Sequence, residues 1–132
     1  MNTAGVRRGD LVRIDLKGRL FIATVRGRDP ETRRFAIEPL RPGVGYRSAS
    51  SREIVEHWRE RPLRDGRVST TTIRSGDLVR LAPEGRRAFV ATVLQKQRGR
   101  LRVRLLAPDD AVVTEQLRDT VRHYARRRRT SR

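Results

Sequence analysis

The sequence predicts a mainly β protein made of two tandem copies of one small antiparallel unit, each with a short helical turn near its end. Three observations point there. The chain writes one phrase twice, RGDLVRI at residues 8–14 and SGDLVRL at 75–81. FIATV at 21–25 returns as FVATV at 89–93, and REIVEHW at 52–58 returns more loosely as RDTVRHY at 118–124. Gly9 recurs 67 residues on as Gly76, Phe21 recurs 68 on as Phe89, and His57 recurs 66 on as His123. Near-constant offsets in unchanged order mark a duplicated unit with small loop insertions. The second observation is period-two alternation of apolar and polar residues. The third is the turn chemistry between the alternating runs. The copies span 6–58 and 73–124, a polar linker spans 59–72, and a basic tail spans 125–132.

In the first copy, Val12, Ile14 and Leu16 alternate with Arg13 and Asp15, which suits a half-buried strand. The segment KGR turns the chain into LFIATV, a run of β-branched and aromatic residues. After RDPET, residues Phe35, Ile37 and Pro39 share one face of a third strand. Pro39 has to sit near a strand end or edge, because it lacks an amide proton for the ladder. RPGVG is a further turn. In SASSREIVEHW the serines and Glu53 have capping-box spacing, so a short turn followed by the strand IVEHW is expected, in preference to a helix. The linker RERPLRDGRVSTTT carries Pro62, Asp65-Gly66 and a serine/threonine run, all loop formers.

The second copy repeats the plan. Val79 and Leu81 flank Arg80, FVATV follows, and Leu101, Val103 and Leu105 alternate with arginines. Its last segment, TEQLRDTVRHYARR, supports two readings equally. Leu117, Val121 and Tyr124 have helical i, i+4, i+7 spacing, whereas homology with the first copy favours a strand.

A glycine-aspartate opening, three meandering strands, a fourth beside a short helical turn and a brief closing segment resemble the SH3-like small barrels, in the Tudor and KOW neighbourhood. The resemblance is carried by Gly9-Asp10-Leu11-Val12-Arg13-Ile14, by Phe21 to Val25 and by Tyr46 to Trp58, with their counterparts in the second copy. A KOW motif would place glycine before the valine of the second strand, where this chain has Ala23-Thr24 and Ala91-Thr92, so the resemblance is to the superfamily fold. It implies two tandem SH3-like barrels and a class of modules that bind RNA, DNA or protein tails, without choosing among them.

The chain has no cysteine, which excludes disulfides and thiolate metal sites. It has no apolar run near the roughly 18 residues of a membrane span. MNTAGVRRGDLV lacks the apolar core of a signal peptide, so a soluble, cytoplasmic protein without membrane contact is expected. The net charge is +17, from 32 basic and 15 acidic residues, and such an excess speaks about partners. Only Lys17 and Lys96 are lysines. A GC-rich bacterial genome accounts for an arginine bias, and arginine also binds phosphate in a bidentate way. Residues 1–66 carry 15 basic and 9 acidic side chains, net +6, while residues 67–132 carry 17 and 6, net +11. The second half is the stronger candidate for a polyanion.

Two arginine groups stand out there. In QRGRLRVRLL, Arg98, Arg100, Arg102 and Arg104 alternate with apolar residues. On a strand they would share the outer face at about 6.8 Å intervals, compatible with phosphates that advance about 3.4 Å each along one DNA strand. The matched positions of the first copy read Arg34, Ala36 and Glu38. In the tail, Arg126, Arg127, Arg128 and Arg129 form a block of the kind that binds nucleic acid. The bland alternative for both groups is a solvated surface. His57-Trp58 and His123-Tyr124 occupy matched positions, but no third ligand at metal-site spacing accompanies them, so packing is the expected role. Phe21, Phe35, Tyr46 and Phe89 are expected in the core and do not suggest a methyl-lysine cage. Asp10 and Asp77 are expected to bond backbone amides in the opening turns. With no cysteine, no glycine-rich phosphate loop and no metal-ligand cluster, no enzyme is indicated and no cofactor is expected.

These features predict a non-enzymatic nucleic-acid-binding protein. Arginine–phosphate contacts would supply affinity with little sequence specificity, DNA is favoured over RNA, and a bacterial chromosome, plasmid or phage is a natural setting, with nucleoid association. The competing classes are an adaptor docking an acidic protein partner and an RNA- or ribosome-associated factor.

Overall fold

The repeated Gly-Asp pair makes the same turn twice. Gly9 and Gly76 have φ of 93° and 90°, a region open to glycine and strained for other residues. Gly9 and Gly76 donate to the carbonyls of Val25 and Val93 at 2.8 and 2.9 Å, and the carbonyls of Asp10 and Asp77 accept from the amides of Val25 and Val93 at 2.8 Å. The two phrases GDLVR and ATV are thus hydrogen-bonded to one another in both copies.

In the computed structural model, which describes residues 3–107 and 109–127, the chain is mainly β and its strands pair antiparallel. It divides into two compact units. One takes in the chain up to Arg59 together with Arg127, and the other is Glu60–Arg126.

The first unit holds strands β1 (Leu11–Leu16), β2 (Arg19–Arg28), β3 (Phe35–Pro39) and β4 (Ser48–Ala49), a 3₁₀ turn (Ser51–Glu53) and β5 (Ile54–Glu60). The strand order is β4-β3-β2-β1-β5. Lys17 and Gly18, both at positive φ (53° and 80°), make the two-residue turn from β1 to β2, the conformation whose twist matches its strands. Ser50 and Glu53 form the expected capping box, and a strand follows it. Pro39 ends β3. Val12, Ile14, Phe21, Val25, Phe35 and Ile37 form the centre of the core.

The second unit repeats the order as β10-β6-β7-β8-β9. Its strands are β6 (Leu78–Leu81), β7 (Phe89–Gln97), β8 (Arg100–Leu105), β9 (Val112–Gln116) and β10 (Thr120–Arg126), with a 3₁₀ turn (Leu117–Asp119) before the last. Even the irregularities match. The register shifts in β2 between Val25 and Gly27, and in β7 between Val93 and Gln95. Val79, Leu81, Ala91, Val93, Leu101 and Val103 fill this core. Among the described residues, hydrogen-bonded pairing joins neither β4 to β5 nor β9 to β10.

The structure decides the ambiguous last segment as strand. Thr120 and His123 are its buried residues, while Val121 is exposed. A register shift between Thr120 and Arg122 interrupts the alternation, and Leu117 of the apolar trio lies in the 3₁₀ turn before the strand. The segment 59–72 also differs from a plain linker. Arg64 and Arg67 bridge each other at 2.8 and 3.0 Å across Asp65-Gly66, Thr70–Thr72 forms a 3₁₀ turn, and Ile73 enters the second core. Among the described residues no helix is long and apolar enough to cross a membrane.

A test of the shared turn follows. A Cβ at Gly9 meets nothing within 4 Å, and at Gly76 only the Arg126 side chain at 3.5 Å. Space is therefore available, and Gly9→Ala and Gly76→Ala should each cost only the backbone conformation, roughly 1–2 kcal/mol. In urea unfolding the midpoint should fall with an unchanged slope. A cost near zero would show that the turn does not depend on glycine.

Candidate nucleic-acid interface

The polar residues that hold each unit come first, because they determine which charges remain on the surface. Asp10 and His57 are both buried. Asp10 Oδ2 accepts from the Arg7 amide at 2.9 Å and from His57 Nε2 at 2.5 Å, and the Arg59 guanidinium donates to Oδ1 at 3.2 Å and to Oδ2 at 3.0 Å. Burial pushes this carboxyl up, but the hydrogen bonds from His57, Arg59 and the Arg7 amide outweigh burial and hold it at about 2, against an ordinary 3.8. Asp77 repeats the arrangement with the Arg74 amide at 3.0 Å and His123 Nε2 at 2.6 Å, while the Arg126 amide, at 3.0 Å, takes the place of the Arg59 side chain. Its carboxyl is lowered as well, again against burial. The aspartates thus bond the turn amides as expected from sequence. The histidines do more than pack, since each ties the last strand to the opening turn. Among the described residues no three His, Cys, Asp or Glu side chains gather into a metal-binding group.

In the first unit three glutamates hold arginines. Glu56 accepts from Arg13 at 2.6 Å, Glu38 from Arg26 at 2.8 Å, and Glu53 lies 3.6 Å from Arg34, which also donates to Ser48 at 3.1 Å.

At two of those glutamate positions the second unit has arginine. β8 alternates strictly, with Leu101 and Val103 buried and Arg100, Arg102 and Arg104 exposed. It runs between β7 and β9. Arg100 stands opposite Gln97 and Gln116, Arg102 opposite Gln95 and Thr114, and Arg104 opposite Thr92 and Val112. None of these positions is acidic. Arg98 lies in the turn before β8. Among the described residues none of Arg98, Arg100, Arg102 and Arg104 joins an ion pair. The strand registers equate Val25↔Ile37 with Val93↔Val103, so Glu38 of the first unit corresponds to Arg104 of the second. Likewise the pair Arg13↔Glu56 corresponds to Arg80↔Arg122. At two matched positions the first unit has glutamate and the second has arginine.

Arg80 is the residue that sequence reasoning passed over. It is exposed between buried Val79 and Leu81, and Arg122 opposite it is engaged by Glu60 at 2.9 Å. Its alternation was visible, but its cross-strand cation was not. The tail arginines do not join the β8 row. Arg126 ends β10, three places from β8 in the strand order, and its side chain lies beside Gly76. The Arg127 amide donates to the His57 carbonyl at 2.8 Å. Arg128 and Arg129 lie outside the described residues. The acidic Glu115 is buried on β9 and is held by Arg86 at 2.5 and 3.1 Å, so it does not offset the outer row.

Comparison with protein-family models, with curated proteins and with solved structures finds no significant match to this chain.

The buried carboxylate makes a pH signature. The folded Asp10 carboxyl titrates below its ordinary value, so its stabilisation is complete above about pH 4 and is lost as pH falls through about 2, an amount of about 2 kcal/mol. Asp10→Asn should be less stable than the parent at neutral pH, and the gap should narrow between about pH 4 and pH 2. Thermal unfolding midpoints across that range check it. A gap independent of pH would deny the carboxylate this role.

Proposed function

We propose that the protein binds nucleic acid without catalysis, DNA in preference to RNA, through arginine–phosphate contacts made chiefly by the outer face of β7, β8 and β9. We read each unit as a small SH3-like barrel, because the strand order, the 3₁₀ turn before the last strand and the glycine-aspartate opening recur together in both. The observation that carries the functional reading is the difference between the units. Arg100, Arg102 and Arg104 stand exposed with no acid on their face, whereas Glu38 at the matched place holds Arg26.

A scaffold has no need of three unpaired cations in a row. Like charges spaced along one strand repel one another, and a polyanion relieves that repulsion while releasing its own counterions. Guanidinium groups suit the task, since they offer forked donors to phosphate oxygens. Glutamine and threonine on the flanking strands add neutral donors of the kind that also contact phosphates. Such contacts position a nucleic acid and carry little base information.

Titration of a random-sequence DNA duplex at several salt concentrations tests the reading. About five phosphate contacts give a log–log slope near −4.5. Replacing Arg100, Arg102 and Arg104 together by glutamine should weaken binding on all sequences alike and flatten the slope by roughly 2.7, about 0.9 for each lost contact. Arg13→Gln with Arg34→Gln should matter less, because both side chains already serve Glu56, Ser48 and Glu53. Equal affinity of the triple variant and the parent, with circular dichroism showing both folded, would place the contact elsewhere. Binding of polyglutamate in place of DNA would favour an acidic protein partner.

A further inference from the structure

Resting on that reading, we propose that the ligand of the β7–β8–β9 face is double-stranded and that single strands bind it more weakly. The argument begins with the aromatic side chains. Proteins that hold single strands without sequence preference add base stacking on aromatic rings to a basic groove, and each stacked base contributes roughly 1–3 kcal/mol. The chain has six aromatic residues, and none is on this face. Phe21, Phe35 and Trp58 are buried. Tyr46 stacks on Phe21 with ring centroids 5.9 Å apart, Phe89 packs against the second core, and Tyr124 lies on β10. The outward positions of the face hold arginine, glutamine, threonine and one valine. It has charge and hydrogen-bond donors but no stacking platform.

A face of that composition depends on charge density. Duplex DNA carries one charge per roughly 1.7 Å of axis, and each neutralised phosphate contributes about 0.9 to the salt exponent, against about 0.7 on a single strand. For about five contacts near 0.1 M salt, that difference amounts to roughly tenfold in affinity. Geometry works in the same direction. β8 is hydrogen-bonded on both sides, so its three arginines leave a stiff central strand at regular intervals. A duplex presents phosphates at regular intervals too and needs little ordering, whereas a single strand has to be ordered to match them.

The experiment is fluorescence anisotropy on the full chain, using one labelled DNA strand of roughly two helical turns alone and annealed to its complement. The duplex should bind roughly tenfold tighter near 0.1 M salt, with the steeper salt slope. In the folded Arg100→Gln, Arg102→Gln, Arg104→Gln variant, both affinities should fall and the preference should shrink. Equal or tighter binding of the single strand would overturn the inference while leaving nucleic-acid binding intact. An undiminished duplex preference in the triple variant would overturn its assignment to this face. Binding to neither form would overturn the inference and the proposed function together.

Discussion

Each unit is organised around one buried carboxylate. Asp10 and Asp77 sit at the start of the first strand, and each binds an amide three residues back and a histidine on the last strand. That arrangement joins the two ends of a unit, which the sequence separates by more than forty residues. A buried carboxylate is costly to desolvate, and losing one partner would leave an uncompensated charge worth several kcal/mol, about 3–5 in comparable pairs. The histidine and the aspartate therefore depend on one another, and the turn between Gly and Asp brings them within reach. β1 pairs with both β2 and β5 beside this bond, and β8 pairs with β7, which pairs with β6.

Charge on the surface is what remains after the scaffold has taken its share. Fifteen acidic residues serve a chain with 32 basic ones. Asp10, Asp77 and Glu115 are buried in structural bonds, and Glu38, Glu53, Glu56 and Glu60 hold arginines. The β8 row receives none of them. Net charge alone would have been compatible with a diffuse positive surface. The distribution of partners instead leaves the outward row of β8 without an acid opposite it, whereas Glu38 at the matched place of the first unit holds Arg26.

Much of the scaffold was legible in the sequence because it is local or repeated. GDLVR marked the opening turn twice, KGR marked a two-residue turn, and the alternation of Leu101 and Val103 with arginines identified the exposed row correctly. What escaped was decided across strands. The spacing of Leu117, Val121 and Tyr124 imitated a helix although Leu117 belongs to the 3₁₀ turn and Val121 is exposed, and the register shift beside Val121 depends on the partner strand. The pairing of Arg13 with Glu56, and its replacement by Arg80 and Arg122, required knowing which residues face one another over some forty positions of chain. The His–Asp bonds were hidden for the same reason: the repeat showed that both residues recur but not that they touch.

The pattern of likeness and difference between the units separates folding from function more sharply than either unit does alone. What the copies share is the machinery of the turn and the core: Gly9 and Gly76, Asp10 and Asp77, His57 and His123, Val12 and Val79, Ala23 and Ala91. Among their differences in charge are two outward positions, Glu38 against Arg104 and Glu56 against Arg122. At both, the first unit has the acid and the second the base. Folding cannot require them, because the first unit adopts the same strand order with the opposite charges. A surface demand can act at Arg104, which has no acid opposite it on β7 or β9, whereas Arg122 is taken up by Glu60.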